Sequence, residues 1–344
     1  MADKRSYIKM LDEAKVCLSN KFCPIRRYGY VPEHAKSIIK EQFSIFGKED
    51  TEYNKLLGEI ERIDDVRCAH IICTFLLGIY IYNKSELIKY LVDDNVEKCL
   101  SDAGHDNDFP FLWFLICLFH DLGYSKEDKR QNSRIGVNWA NNQKKLSTCD
   151  GVPELYSRIY KNYFLYRKIE HGKTDHGIYA GLIMYPDLCR IQKEQKKLCP
   201  DEDVWRDELR KLYNLASWVV LAHNVWFAKD TEADKCATYR KYSLDKLILK
   251  TEKGGCEIEK YPIDSKKYPV LFLFCLVDLI EPMKRIGNLE CCGKIEIGIR
   301  NNKIIVESEM DYFCGEHYLQ AIMSANDWLA KSQRDKNMVE ILFN

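Results

Sequence analysis

Charge of one sign is the first thing this sequence lacks: lysine and arginine number 52, aspartate and glutamate also 52, so the formal net charge is zero. That balance argues against a broadly basic surface, and so against long duplex nucleic acid as a partner. It leaves room for a local basic pocket. Long hydrophobic runs are missing too. The longest, Phe109 to Phe119, is too short to span a bilayer, and the opening MADKRSYIKMLDEAK has no apolar core of a signal peptide. None of the 15 cysteines stands in a CxxC pair, and Cys291 and Cys292 are adjacent, a spacing unsuited to gripping one zinc ion. Most of them read as small, buried, reduced thiols, so we expect a cytoplasmic protein with no membrane partner. Internal repeats and low-complexity tracts are absent.

What is present is apolar material at helical spacing. With 344 residues, 46% of them hydrophobic, the chain can bury a sizeable core, as one large domain with additions or as two domains. The periodicity predicts helices over 5–19 and 34–46, and a long apolar-periodic stretch over 53–82 that contains His70. Asp108-Phe109-Pro110 is a helix start, with an N-cap acid and Pro in the first turn. The run behind it, apolar on all sides, is buried whether helix or strand, and its length and start favour a helix. Residues 125–150 read as a polar insertion and 151–171 as a Tyr-rich helix. Thr174 is placed to cap a helix to about Leu188. A charged connection over 190–204 leads to an amphipathic helix over 205–224. Residues 228–266 look irregular apart from a short helix at 242–250, and 268–285 form one buried helix. The period then changes to two: Lys294–Ile299 and Ile304–Ser308, around Asn301-Asn302, predict a hairpin. An amphipathic helix over 315–332 follows.

Polar residues in apolar settings carry the functional signal. His70 lies within an apolar helix, and His120-Asp121 ends the run FLWFLICLFHDLGY. His176 opens a helix in TDHGIYAGLIMYP, His223 ends one in LASWVVLAHN, and Asp278 sits inside LFLFCLVDLIEPMKR. A lone histidine on an apolar face is usually a core residue with a satisfied ring. A buried carboxylate is costlier and needs a cation or several donors. One metal centre accounts for all of these groups together, and neutral imidazoles with carboxylates suit Zn, Fe, Mn or Co.

The order His…His-Asp…His…His…Asp resembles the HD-domain superfamily over about residues 60–286. LFHDLGY is similar to that family's LLHDIG segment and DHGIYAG to the H-G-x-x-[AG]-[AG] segment of its dinuclear members. VDLIEPMKR is similar to the A-D-x-I-E-P-x-R segment of bacterial symmetrical dinucleoside-tetraphosphate hydrolases. The chain is much longer than those hydrolases, with insertions they do not share. The resemblance implies a mainly α fold: an HD-domain helical bundle of about 230 residues over 59–288, with polar insertions at 125–150 and 228–266. N-terminal helices over 1–58 would pack on it, and 289–344 would form a small C-terminal β-hairpin and helix.

The resemblance also implies two divalent transition metals, Mn, Fe, Co or Zn, with Mg admissible. His70, His120, Asp121 and Asp278 would hold the first, and Asp121 would bridge to a second held by His176 and His223. A mononuclear relative would need only the first four. A hydroxide between the ions would attack phosphorus in a small phosphorylated substrate such as a nucleotide. Arg285 shares a helix face with Asp278 and, with Lys284, is a candidate for phosphate. The plainer account of both is a cationic helix end. Lys126, Lys173 and Arg67 are further substrate-binding candidates. Asp175 could donate a proton to the leaving group, although an acid in a helix's first turn is the plainer reading. His171, five residues before His176, reads as a loop residue or one behind the ligands. Tyr124 stands where many HD relatives carry lysine, which puts any mechanism needing that lysine in doubt. Two alternatives stay open: an HD-type di-iron oxygenase with nearly the same ligand order, and a non-catalytic metal- or nucleotide-binding sensor. The insertions could form a lid or a homo-oligomer contact.

Overall fold

Helix-forming periodicity becomes helix along most of the chain in the computed structural model, which describes residues 5–44, 51–100, 109–126, 146–198, 200, 207, 209–250, 263–300, 303–308, 318, 320, 322–323 and 339–341. A short strand β1 (Arg5–Ser6) leads into α1 (Tyr7–Cys17), α2 (Cys23–Tyr28), α3 (Pro32–Ser44), α4 (Thr51–Glu61), α5 (Asp65–Lys84), α6 (Glu86–Leu100) and α7 (Phe109–His120). After a 3-10 turn at Leu122–Lys126 come α8 (Leu155–Glu170), α9 (His176–Leu198) and α10 (Leu209–Ala222). Then follow β2 (Ala228–Lys229), α11 (Ala233–Lys241), β3 (Ile248–Leu249), α12 (Pro269–Ile280), α13 (Met283–Ile286) and α14 (Leu289–Cys292). Strands β4 (Ile295–Arg300), β5 (Lys303–Ser308) and β6 (Val339–Ile341) close the described chain. The fold is mainly α with a small sheet near its C-terminal end.

Helix α5 organises the core. The Asp64 side chain accepts the Arg67 amide at 2.8 Å, an N-cap that divides the apolar stretch over 53–82 into α4 and α5. Helices α1, α3, α6, α7, α12 and α13 all pack against α5. By length and composition α5 could cross a membrane, yet 83% of its most apolar window is buried inside the fold. Trp113 of α7 is held to it by an indole N–H donated to the Phe75 carbonyl at 3.1 Å.

Several expectations need correction. The segment 190–204 is not a connection throughout: α9 runs to Leu198, because Leu188, Ile191, Gln192 and Gln195 keep one buried face while Lys193 and Lys197 point outward. The helix placed at 242–250 lies earlier, as α11. Ser243 adopts φ 54°, which ends it, and a 3-10 turn at Asp245–Leu247 and then β3 follow. The single helix over 268–285 stops at Ile280. Pro282 has no N–H to continue it, and Glu281 before it is extended. Thr174 does not cap α9; Asp175 does, its Oδ1 accepting the Ile178 amide at 2.9 Å. Helix α6 was not anticipated.

The hairpin forms as expected, with Arg300 opposite Lys303 and a two-residue connection between them. It belongs to a larger sheet of order β1-β4-β5-β6, in which β1 pairs antiparallel with β4 and β6 parallel with β5. Most of the 125–150 insertion, part of 228–266 and Asp108 lie outside the described residues. Of the helix expected at 315–332, Tyr318, Gln320, Ile322 and Met323 are described, and all are helical. The twelve described cysteines are all free.

Candidate metal centre

Four elements converge at the inner end of α5. His70 is buried on α5, His120 ends α7, Asp121 follows it and Asp278 lies one turn from the end of α12. His70 Nε2 is 3.2 Å from His120 Nε2 and 3.0 Å from Asp278 Oδ1. His120 Nε2 is 3.5 Å from Asp278 Oδ1 and 3.2 Å from Asp121 Oδ1. The donor atoms of His70, His120 and Asp278 all lie within 4.8 Å of one another.

Their neighbours settle which atoms carry protons. His70 Nδ1 lies 2.5 Å from Glu281 Oε2, and His120 Nδ1 lies 2.6 Å from the Cys117 carbonyl. Both partners are acceptors, so both Nδ1–H groups donate, and each ring in its neutral form presents a bare lone pair at Nε2. Two imidazole lone pairs and two carboxylate oxygens therefore face one another across 3.0–3.5 Å. A proton on one ring relieves that ring's contacts alone; one cation relieves them all. The spacings also fit: ligands about 2.1 Å from a common ion stand about 3.0 Å apart at right angles and about 3.4 Å apart in a tetrahedron. The set of N and O donors suits a divalent transition ion.

Electrostatics agree. Burial alone would raise the Asp121 carboxyl, but His120, Lys284, His70 and His176 outweigh it and hold it well below the usual carboxylate range. Asp278 is depressed likewise, Lys284 and the two imidazoles overcoming its desolvation. Burial and Lys284 push the His70 ring down, yet the carboxylates of Asp278 and Glu281 outweigh them and raise it, so in the absence of an ion a proton competes for Nε2. Asp121 Oδ2 is fully buried with no hydrogen-bond partner among the described residues, and Arg67 Nη1 lies 3.8 Å from it.

His176 and His223 stand beside this cluster. Their ring centroids are 5.4 Å apart, and His223 is 5.8 Å from His120. Burial dominates in lowering both, His176 to about 4 and His223 to about 3, so both are neutral at pH 7. His223 Nδ1 donates to the Val220 carbonyl at 2.6 Å, leaving its Nε2 bare. The small residues of α9 allow this approach: a Cβ at Gly177 would lie 2.6 Å from His223 Cε1, and one at Gly181 would lie 2.5 Å from the Ser217 carbonyl. A Cβ at Gly123 would come within 2.2 Å of the His176 carbonyl, so that glycine lets the turn after Asp121 touch the start of α9.

Among the substrate-binding candidates, Lys284 and Arg67 reach the cluster. Lys284 Nζ is 3.4 Å from Asp121 Oδ1 and 3.6 Å from Asp278 Oδ1. The Arg67 guanidinium sits 3.5 Å from the centroid of Tyr124, and its Nε is 3.0 Å from Asp64. Arg285 is turned onto backbone, Nη1 donating to the carbonyls of Asp278 at 3.3 Å and Glu281 at 3.5 Å. Asp175 is engaged locally: besides capping α9 it accepts from Asn224 Nδ2 at 2.9 Å and faces Arg167 Nε at 3.6 Å. Lys173 is exposed on the turn before α9, and the Lys126 side chain lies outside the described residues. His171 bonds the Tyr166 hydroxyl through Nε2 at 2.9 Å, at the C-terminal end of α8.

Two participants escaped the sequence reading. Glu281, fully buried, binds His70 from behind, and its sequence signal is the matched acid of the VDLIEPMKR segment, to which no role was given. Tyr124 stacks on the His176 ring with centroids 3.8 Å apart. Compared with known proteins, the chain matches no family model, no curated protein and no solved structure at a significant level.

Proposed function

We propose that the protein is a metal-dependent phosphohydrolase of the HD type, acting on a nucleotide or a related small phosphate ester or anhydride. The observation that carries this reading is the convergence of four electron-rich atoms, from His70, His120, Asp121 and Asp278, beside two cationic side chains, Lys284 and Arg67. His70, His120, Asp121 and Asp278 would hold one ion, and His176 and His223 are the groups available to a second. Bound there, a divalent ion supplies Lewis acidity toward a phosphoryl oxygen and lowers the pKa of a coordinated water.

The chain's own residues do the rest. Lys284 brings a compact ammonium beside Asp121 and Asp278, where a phosphoryl group at the centre would lie within its reach. It arrives from α13 and supplies an ammonium where the Tyr124 position, lysine in many HD relatives, supplies none. Arg67 presents a planar guanidinium, pinned through Asp64, from which Nη1 can donate to a phosphate oxygen. Asp175 holds the start of α9 and, through it, the position of His176.

The test is metal content by elemental analysis on protein purified without chelator, for wild type and Asp121→Ala, followed by phosphate release from a nucleotide panel. One or two equivalents of Mn, Fe, Co or Zn in wild type, falling sharply in the variant together with phosphate release, are expected. Oxygen consumption without phosphate release by an iron-loaded protein would favour the oxygenase alternative. Folded protein that takes up none of these four metals, nor Mg, would end the metal reading.

A further inference from the structure

Glu281 is a buried carboxylate that the cluster itself does not use as a ligand. It lies where α12 breaks. Its Oε2 accepts the His70 Nδ1–H at 2.5 Å and the Lys284 amide at 3.3 Å. Its Oε1 takes the Tyr7 hydroxyl at 2.5 Å and the Met283 amide at 2.8 Å. Tyr7 is fully buried at the start of α1, 274 residues away in sequence, directly after the strand that pairs with β4. The broken helix end is tied on other sides too: Tyr318 donates to the Ile280 carbonyl at 2.9 Å, and Arg285 to those of Asp278 and Glu281.

We infer that Glu281 is the positioning residue of the metal centre. Held by Tyr7 from the N-terminal helix, it fixes His70 as the tautomer that leaves Nε2 bare, so α1 is a working part of the site. The inference rests on the metal reading of that site. Its physical basis is that a neutral imidazole must choose which nitrogen carries the proton. A carboxylate accepting at Nδ1 makes that choice and raises the basicity of the other nitrogen. Thr74 Oγ1, 3.3 Å from the same Nδ1, can donate or accept and so cannot enforce it.

Glu281→Gln is the discriminating variant because it keeps the shape. The Met283 amide at 2.8 Å and the Tyr7 hydroxyl hold Oε1 more tightly than the Lys284 amide, at 3.3 Å, holds Oε2, so the glutamine carbonyl would take the Oε1 place. The amide NH2 then turns to His70 Nδ1, makes it an acceptor and moves the proton to Nε2. Tyr7→Phe is the second variant; it removes one hydroxyl and loosens the carboxylate without reversing it.

The experiment measures zinc affinity by chelator competition, and the His70 ring tautomer by 15N chemical shifts of histidine-labelled, metal-free protein, assigned with His70→Gln. Zinc affinity about 10–100-fold weaker in Glu281→Gln, with the proton moved to Nε2 of His70, is expected. Tyr7→Phe should weaken zinc in the same direction by less. A change of tautomer is something a merely structural role would not produce. Zinc bound within threefold of wild type by Glu281→Gln, with His70 unchanged, would overturn the inference and leave the metal centre standing. If wild type binds no zinc, the metal reading fails, and the ring tautomer still decides whether Glu281 sets His70.

Discussion

Lys284 offers a quantitative test of how the centre is balanced. Its ammonium is 3.4 Å from Asp121 Oδ1 and 3.6 Å from Asp278 Oδ1, and its side chain is 18% exposed, so solvent screens it little. At an effective dielectric of about 20, each contact is worth about 5 kcal/mol before desolvation, and desolvation takes back several kcal/mol per ion. Lys284→Met keeps most of the volume and removes the charge. Two buried carboxylates that lose their cation should destabilise metal-free protein by about 3–5 kcal/mol. A divalent ion held by the same carboxylates neutralises them instead, so with saturating zinc the loss should shrink to less than half. Urea midpoints of wild type and variant, each with chelator and with zinc, give the four numbers needed. An equal loss in both conditions would refute the reasoning, because zinc would then not be neutralising Asp121 and Asp278.

Two further outcomes follow. Arg285→Gln should reduce stability by about 1–2 kcal/mol through its lost bonds to the α12 carbonyls, with KM for a phosphorylated substrate unchanged; a large rise in KM at constant urea midpoint would return Arg285 to the phosphate. The depressed imidazoles predict acid sensitivity. His176 and His223 are neutral in the fold down to about pH 4 and 3, so their contribution is complete above 6.5 and is lost as pH falls below it. The raised His70 contributes fully below 6.5 and loses its contribution only as pH rises above it, and the depressed Asp121 and Asp278 contribute fully above 3.8 and lose theirs only below it, so none of the three changes between pH 6.5 and 4. Metal-free protein should therefore lose stability between pH 6.5 and 4 by up to about 2.7 kcal/mol per unit. Denaturation midpoints that stay level over that range would contradict the burial of these two rings.

Much of this was legible along the chain, for reasons that differ between residues. The run ending in His120-Asp121 is readable because eleven apolar residues have no exposed face to offer. Asp278 is readable because a carboxylate amid such residues demands a partner. Glu281 was visible within the matched VDLIEPMKR segment, but its role was not, since an acid just before Pro282 at a helix end looks like ordinary surface. Arg285 misled because a helical face extrapolated past Pro282 is wrong where the helix stops at Ile280. The charges over 190–198 masked a helix whose buried face is carried partly by Gln192 and Gln195, which hydropathy does not count as inside.

The sequence by itself determined the local physics: which segments form helices, where the hairpin turns, and which polar side chains are carried into apolar surroundings. These depend on periodicity, on caps such as Asp64, and on the missing N–H of Pro282, all of which act within a few residues. Only the tertiary structure decided which polar groups meet. His70 and Asp278 are 208 residues apart, and Tyr7 and Glu281 are 274 apart. Nothing local fixes such pairs, because they form only when α1, α7 and α12 pack around α5. That packing also decides which nitrogen of His70 is left bare, since its proton goes to whichever acceptor the assembled core places beside the ring.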